Sequence, residues 1–174
     1  MSGVAPVLRA AGRVLPLERP LLMGIVNATP DSFSDEGELP TIEARLARGR
    51  ELLAAGADIL DVGGESASGH RPAVAADEEI ARVVPVVEGL VAGGALVSVD
   101  THKPAVAAAA VAAGAVIVND VSGLRDPALA EVCAGVLAKS GPGSSSSCSG
   151  CRPAASATAM RSDRKSRTSA TTSS

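Results

Sequence analysis

ALVSVDTHKPAVAAAAVAAGAVIVND, residues 95–120, holds one complete strand–helix–strand pattern. Ala95–Val99 and Ala115–Val118 are short apolar runs, as expected of strands buried on both faces. Between them, Pro104 suits the first turn of a helix and Gly114 suits its end. Because such a unit joins two strands through a helix, it predicts parallel pairing in a sheet that is covered by helices.

The same alternation extends over the rest of the first 138 residues. Apolar periodicity and glycine or proline signals predict two further strands and three further helices. These are the strands Leu21–Asn27 and Asp58–Val62, the helices Thr41–Ala55 and Ala76–Leu90, and a helix that starts at Asp126-Pro127. The fold class is therefore α/β, either an open doubly wound sheet or a (β/α)8 TIM barrel.

Polar side chains at the strand ends distinguish between these two arrangements. They are Asn27, Asp61 with Glu65, Asp100 with Thr101, and Asn119 with Asp120. Parallel strands bring their carboxyl ends to one rim, which is where barrel enzymes place their chemistry. No G-x-G-x-x-G follows the first strand, so the dinucleotide-binding sheet loses its main support. We therefore expect a partial TIM barrel with about the first four βα units.

The composition of the chain changes after residue 138. Residues 1–138 carry ten Lys and Arg against eighteen Asp and Glu, whereas residues 139–174 carry six against one. The second segment is rich in Ser, Gly, Thr and Arg, and beyond residue 139 its one large apolar residue is Met160. Because so little apolar surface cannot offset the chain entropy lost on folding, we expect a disordered tail. The predicted divisions are an N-terminal segment 1–19, a barrel segment 20–138 and this tail.

Composition also excludes several classes of function. The net charge of −3 and the single aromatic residue, Phe33, argue against a nucleic-acid-binding surface. No apolar run is long enough to span a membrane, and arginines interrupt the apolar runs where a signal peptide would lie. Three cysteines do not make a disulfide framework, so we expect a cytoplasmic protein. Cys148 and Cys151 have the spacing of a redox or half-zinc pair, but no second pair of ligands accompanies them.

Four motifs follow the predicted strands in order. They are GIVNATPDSFSDEG at 24–37, DILDVGGES at 58–66, SVDTHK at 98–103 and IVNDVSG at 117–123. Together they closely resemble the signatures of the dihydropteroate synthase family of pterin-binding enzymes, and the resemblance covers about residues 20–135. Related pterin-binding methyltransferase domains share the later motifs but match the first one less well.

The resemblance implies a TIM barrel and a transferase of folate biosynthesis. Such enzymes join 4-aminobenzoate to (7,8-dihydropterin-6-yl)methyl diphosphate and release diphosphate, which makes 7,8-dihydropteroate. It also implies a pterin pocket at Asp100 and Asn119. A carboxylate can accept hydrogen bonds from two ring N–H groups, and an amide can both donate and accept. The alternative is that both residues cap helices or close turns.

The resemblance further implies a diphosphate site with Mg²⁺ as the cofactor. Asn27 corresponds to the family residue that meets diphosphate and Mg²⁺, and Mg²⁺ needs few protein oxygens. In the loop that follows, Asp31, Phe33 and Asp35 are candidate catalytic residues of a segment that closes over the amine substrate. Phe33 would pack on the benzoate ring; the alternative is a Phe folded back on the barrel rim.

The second loop departs from the family pattern. The family continues G-G-E-S with Thr-Arg-Pro-Gly, whereas this chain has Ala67 at the Thr position and three extra residues before Arg71-Pro72. Ser68 is the candidate substitute for the Thr hydroxyl at the diphosphate. Arg71 is expected to contact the diphosphate or the benzoate carboxylate. His70 is either a general base or phosphate ligand, or a solvated loop residue.

The resemblance ends after the fourth strand, so we expect a truncated enzyme. The family takes a Lys and an Arg–His pair from its last strands, and residues 139–174 do not resemble those strands. The tail looks like translation in a shifted frame after about residue 134, a hypothesis that translating the other two frames of the gene would test. The alternative function is a non-catalytic half barrel with at most weak pterin binding. A half barrel also leaves two open sheet edges, which a homodimer would cover.

Overall fold

The structure is a computed structural model that describes residues 6–10, 13–29, 41–65 and 73–139. Its strands are β1 (Val7–Ala10), β2 (Arg13–Pro16), β3 (Met23–Asn27), β4 (Ile59–Gly63), β5 (Val97–Asp100) and β6 (Ile117–Asn119). Its helices are α1 (Ile42–Ala54), α2 (Ala76–Ala92), α3 (Pro104–Ala112) and α4 (Pro127–Lys139). The predicted tail, apart from Lys139, lies outside the described residues.

Strands β3 to β6 form one sheet in sequence order, and every neighbouring pair is parallel. A helix follows each of these strands, which confirms the predicted α/β fold of a partial TIM barrel. Strand β4 lies one residue later than predicted, because Asp58 precedes it and accepts hydrogen bonds from Arg19 and from the Leu22 N–H. The strand therefore ends at Gly63, beside the ends of β3 and β5.

Local signals set the helix ends as the sequence predicted. Thr41 caps α1, since its Oγ1 accepts a hydrogen bond from the Ala44 N–H at 3.2 Å. Asp126 does the same for α4, where its Oδ1 accepts from the Ala128 N–H at 2.9 Å. Gly56 follows α1 with a φ of 102°, a conformation that favours glycine at a helix end.

The main hydrophobic core lies between the helices and one face of the sheet. Val26, Leu60, Val62, Val97 and Val99 point from the strands into this layer. Helix α2 supplies the facing side chains of residues 83, 86, 87 and 90, all of them buried. Burial of this much aliphatic surface is the main stabilising contribution to such a sheet–helix layer.

A second apolar cluster covers one end of the opposite face of the sheet. Ile59, Leu96 and Ile117 pack there with Ala10 of the β1–β2 hairpin. The hairpin is antiparallel, and it was not predicted in the segment 1–19. It packs over the amino ends of the parallel strands, not over their carboxyl ends.

No helix among the described residues is long and apolar enough to cross a membrane.

Candidate functional site at the carboxyl ends of the strands

The sheet register places the predicted ligand residues in one row. Asn27 pairs with Gly63, Gly63 with Asp100, and Asp100 with Asn119. Register partners on neighbouring parallel strands point to the same face, so these four positions share one face at the carboxyl rim. The structure thus brings together Asn27, Asp100 and Asn119, which are up to 92 positions apart in the sequence.

Gly63 leaves space in this row. A Cβ atom at Gly63 would lie 3.7 Å from the Asp100 Cβ and 3.8 Å from its Oδ2, which is ordinary van der Waals contact. A larger side chain would extend across the Asp100 carboxylate. The absence of a side chain at Gly63 therefore leaves this side of the Asp100 carboxylate uncovered.

A second polar row lies one pleat deeper on the same face. Asp61 pairs with Ser98 in the register, and both side chains are buried. Asp61 Oδ2 accepts a hydrogen bond of 2.9 Å from Asn119 Nδ2, which joins the two rows. Within the described part of the chain, Asp61 Oδ1 and Ser98 Oγ have no hydrogen-bond partner. Buried polar atoms of this kind usually meet a ligand or an ordered water.

The contact with Asp61 orients the Asn119 amide. One N–H of the amide is used on Asp61, which leaves the carbonyl oxygen and the second N–H for a ligand. Asp61 itself is 5% exposed and was identified from the sequence only as a strand-end carboxylate. Its role in orienting Asn119 follows from the register, which the sequence alone does not fix.

Asp100 has an unusual protonation behaviour. Burial, and after it the nearby carboxylates of Asp61, Glu79 and Asp120, raise the pKa of Asp100 to about 6. His102 acts in the opposite direction. A carboxyl group that titrates near neutral pH at a sheet rim is typical of a functional site.

Asp120, the neighbour of Asn119, has a structural role instead. It is buried, and its carboxylate accepts from the N–H and Oγ of Ser122 at 2.8 and 2.7 Å and from the Leu124 N–H at 2.6 Å. These bonds close the turn after β6, where Leu124 has a positive φ of 58°. Of this adjacent pair, Asn119 is therefore a candidate ligand residue and Asp120 is a turn residue.

A cluster of one cation and two carboxylates lies beside the row, and sequence analysis missed it. The Lys103 cluster, as we name it, consists of Lys103, Glu65 and Glu79. Lys103 Nζ lies 2.6 Å from Glu65 Oε2 and 2.5 Å from Glu79 Oε2. Glu79 lies in the first turn of α2, where a negative charge suits the positive end of the helix dipole, yet its side chain is 1% exposed. The lysine of SVDTHK was the available signal, although nothing local identifies its partners.

The remaining candidate residues lie outside the described residues. These are Asp31, Phe33 and Asp35 of the first loop and Ser68 and Arg71 of the second.

The residues that flank these two loops are described. Arg45 of α1 donates to the Thr29 carbonyl at 3.4 Å, just before the first loop. Glu65 Oε1 accepts from the Val74 N–H at 3.2 Å, so the residues on either side of the second loop are hydrogen-bonded to each other.

The described residues contain no group of three or more His, Cys, Asp and Glu side chains arranged to hold a metal ion. Asn27 remains a candidate metal ligand by chemistry, since an amide oxygen is a hard donor suited to Mg²⁺.

A parallel sheet with a helix after each strand defines a protein of the TIM-barrel class, and its row of polar side chains at the carboxyl rim is a candidate ligand site. Comparison with known proteins identifies the family. Residues 23–140 match the family model described as pterin binding enzyme, and the chain belongs to this family.

Individual relatives agree with this assignment. The dihydropteroate synthase of Bacillus subtilis is 46% identical over 119 residues, which cover 67% of this chain and 42% of that protein. A structure of Xanthomonas albilineans dihydropteroate synthase with 4-aminobenzoic acid is similar, with a TM-score of 0.70 and 53% identity over 76% of this chain and 49% of that one. A Burkholderia cenocepacia dihydropteroate synthase complexed with 7,8-dihydropteroate has a TM-score of 0.64 and 42% identity, over 75% and 43% of the two chains. This chain therefore spans less than half the length of each of these relatives.

Proposed function

We propose that the chain is the amino-terminal part of a dihydropteroate synthase. The reaction is the condensation of (7,8-dihydropterin-6-yl)methyl diphosphate with 4-aminobenzoate, which gives 7,8-dihydropteroate and diphosphate. The observation that carries the proposal is the row formed by Asn27, Asp100 and Asn119 on one face of the sheet. Solved relatives with 4-aminobenzoic acid and with 7,8-dihydropteroate support the same substrates.

Asp100 and Asn119 would bind the edge of the pterin. The Asp100 carboxylate accepts from two neighbouring ring N–H groups, and the Asn119 amide supplies a donor and an acceptor. The hydrogen bond from Asn119 to Asp61 fixes the amide plane before the ligand arrives. Such preorganisation lowers the entropy lost on binding.

Asn27 would hold the diphosphate end of the substrate together with Mg²⁺. It lies at the end of β3 in the same row as Asp100, and its amide oxygen suits an ion that is otherwise coordinated by water and phosphate oxygens. When bound, Mg²⁺ neutralises charge on the leaving diphosphate. Ser68 and Arg71 are the proposed further diphosphate contacts.

The first loop would complete the site for 4-aminobenzoate. We assign Phe33 to the aromatic ring and Asp31 and Asp35 to the closed form of the loop. The amine is already a nucleophile and diphosphate is a good leaving group, so little acid–base chemistry is required of the protein. Catalysis would come mainly from positioning the two substrates and from excluding water.

A non-catalytic half barrel that binds pterin is the second candidate. The described sheet favours it, because it has four strands and β3 and β6 each have one unpaired edge. We expect little or no synthase activity from the chain alone. A homodimer that covers these edges and a cytoplasmic location, suggested by the buried free thiol of Cys133, belong to the same proposal.

A titration tests the pocket directly. We expect the 174-residue chain to bind the pterin diphosphate in the presence of Mg²⁺, and Asp100→Ala and Asn119→Ala to weaken binding by about 100-fold and about tenfold because buried polar ligand atoms lose their partners. Glu51→Ala, an exposed residue of α1, is the matched control and should bind like the parent. Equal affinity of the parent and both pocket variants would place the pterin elsewhere, and a coupled assay with 4-aminobenzoate separates a catalyst from a binder.

A further inference from the structure

The Lys103 cluster joins three segments of the chain at the rim. Lys103 follows β5, Glu65 follows β4, and Glu79 lies in the first turn of α2. Two short contacts from a single Nζ atom hold these segments together, at 2.6 Å to Glu65 and 2.5 Å to Glu79. Residues 38 and 24 positions apart from the lysine thus meet beside the proposed pocket.

Glu79 is buried against the chain that follows β4. A Cβ atom at Gly64 would lie 2.7 Å from the Glu79 Cγ and 2.7 Å from the Val83 Cγ2, so α2 packs directly on the chain after β4. Arg82 strengthens this packing by donating to the Gly64 carbonyl at 3.0 Å. A carboxylate buried in this position requires a charged partner, and Lys103 is that partner.

The backbone before Lys103 is linked to the pocket. The Thr101 N–H donates to the Asn119 carbonyl at 3.1 Å, and Thr101 Oγ1 accepts from the Lys103 N–H at 3.2 Å. On the other side, Glu65 accepts from both Lys103 and the Val74 N–H. Asp100 therefore lies in a segment tied to β6 through Thr101 and to the end of β4 through Lys103.

We propose that Lys103 is a positioning residue of the pterin pocket. Through Glu65 it holds the chain after β4 at a fixed distance from the chain after β5, which keeps Gly63 and Asp100 side by side at the rim. The identity of the ligand in this inference rests on the proposed function. The positioning itself does not, because it concerns contacts that exist without a ligand.

If Lys103 had only a structural role, its substitution would affect stability but not the position of Glu65. In that case Lys103 would serve only to neutralise Glu79, and any effect on binding would follow a loss of folded protein. Lys103→Met alone is a poor test, because it leaves the Glu79 charge buried without a partner and is strongly destabilising. The double variant Lys103→Met with Glu79→Gln removes both charges and still frees Glu65 from its cation.

Two measurements on the full chain separate these cases. Amide hydrogen exchange of the Val74 N–H reports whether Glu65 is held, and titration with the pterin diphosphate reports on the pocket. We expect the double variant to keep the parental denaturation midpoint, to exchange at Val74 about tenfold faster and to bind the ligand about tenfold more weakly. Lys103→Arg should recover most of both properties, and the exposed pair Arg48→Met with Glu51→Gln is the charge-matched control.

Glu65→Gln is the second variant, because it leaves the pair between Lys103 and Glu79 intact. It should weaken ligand binding and Val74 protection without a shift in the denaturation midpoint. Parental exchange at Val74 in Glu65→Gln and in the folded double variant would overturn the inference. If the parent chain does not bind the pterin diphosphate, the proposed function fails, and exchange at Val74 still decides whether Lys103 positions Glu65.

Discussion

The two ends of the parallel sheet differ sharply although the same strands build both. At the amino end, Ile59, Leu96 and Ile117 pack under the β1–β2 hairpin and form a closed apolar cluster. At the carboxyl end, which we call the open end, the same face carries Asp100 and Asn119 of the polar row. The change from apolar to polar takes place within single strands, since only one residue separates Ile117 from Asn119. One end of the sheet thus contributes stability, and the other carries the proposed site.

The carboxylates at the open end destabilise the folded protein. Asp61 and Asp120 are buried carboxylates. Burial is the main cause of the raised pKa of Asp100, and these two carboxylates and Glu79 raise it as well. Like charges held this close destabilise the folded state unless cations or hydrogen bonds offset them. The closed end has no such conflict, because its side chains are apolar. Substitutions at the two ends should therefore separate stability from ligand binding.

Leu96→Ala should have the largest effect on stability. Leu96 is buried in the closed cluster, so removing its side chain leaves a cavity and should lower the free energy of unfolding by about 3 kcal/mol. Urea denaturation followed by circular dichroism measures this change. Leu22→Ala is the matched control, since Leu22 is 56% exposed and should change stability little. A loss at Leu96 no larger than the control's would mean that the hairpin does not close this end.

At the carboxyl end of the sheet, pterin binding should depend on pH through the ionisation of Asp100. With a pKa of about 6, Asp100 is mostly protonated at pH 5 and mostly ionised at pH 7.5. Only the ionised carboxylate accepts from two ring N–H groups, so affinity for 6-hydroxymethylpterin should rise about tenfold over this range. This ligand is chosen because it lacks the diphosphate, which would itself titrate.

The effect of Asp100 on folding has the reverse sign. The pKa of Asp100 in the folded protein is raised to about 6 from its ordinary value of 3.8, so its contribution to stability is fully present below about pH 4 and is lost as the pH rises through about 6. Asp100→Asn should abolish both pH dependences, whereas His102→Gln controls for the neighbouring imidazole. Affinity that stays constant from pH 5 to 7.5 in the parent would show that Asp100 does not bind the pterin as an acceptor.

The sequence predicted the open end better than the closed end. The register brings Asn27, Asp100 and Asn119 to one rim, as predicted. This could be predicted because polar residues at the ends of apolar runs are a local signal, and parallel pairing brings those ends together. The hairpin was missed, because strands of four residues with arginines among them carry little periodicity. Short strands of this kind depend on packing against the sheet that they cover.

Contacts between residues that are distant in the sequence were also not predicted. The hydrogen bond between Asn119 and Asp61 joins residues 58 positions apart, and Lys103 meets Glu79 across 24. Neither pair lies on one element, so no helical or strand spacing could indicate it. Glu79 illustrates the result, because a carboxylate in the first turn of α2 suits the positive end of the helix dipole, whereas its burial depends on tertiary packing.

Asp126→Ala tests whether every acidic residue near the open end serves the ligand. Asp126 caps α4 through the Ala128 N–H, and the loss of such a cap should lower the free energy of unfolding by about 1 kcal/mol. Its carboxylate points to the backbone of its own helix, so the affinity for the pterin diphosphate should not change. Glu131→Ala, an exposed residue of the same helix, is the control for loss of charge alone. A tenfold loss of affinity in Asp126→Ala, with the control unchanged, would mean that the site extends from the row at the strand ends to the start of α4. The carboxyl end of the sheet would then contain a residue that contributes both to stability and to ligand binding.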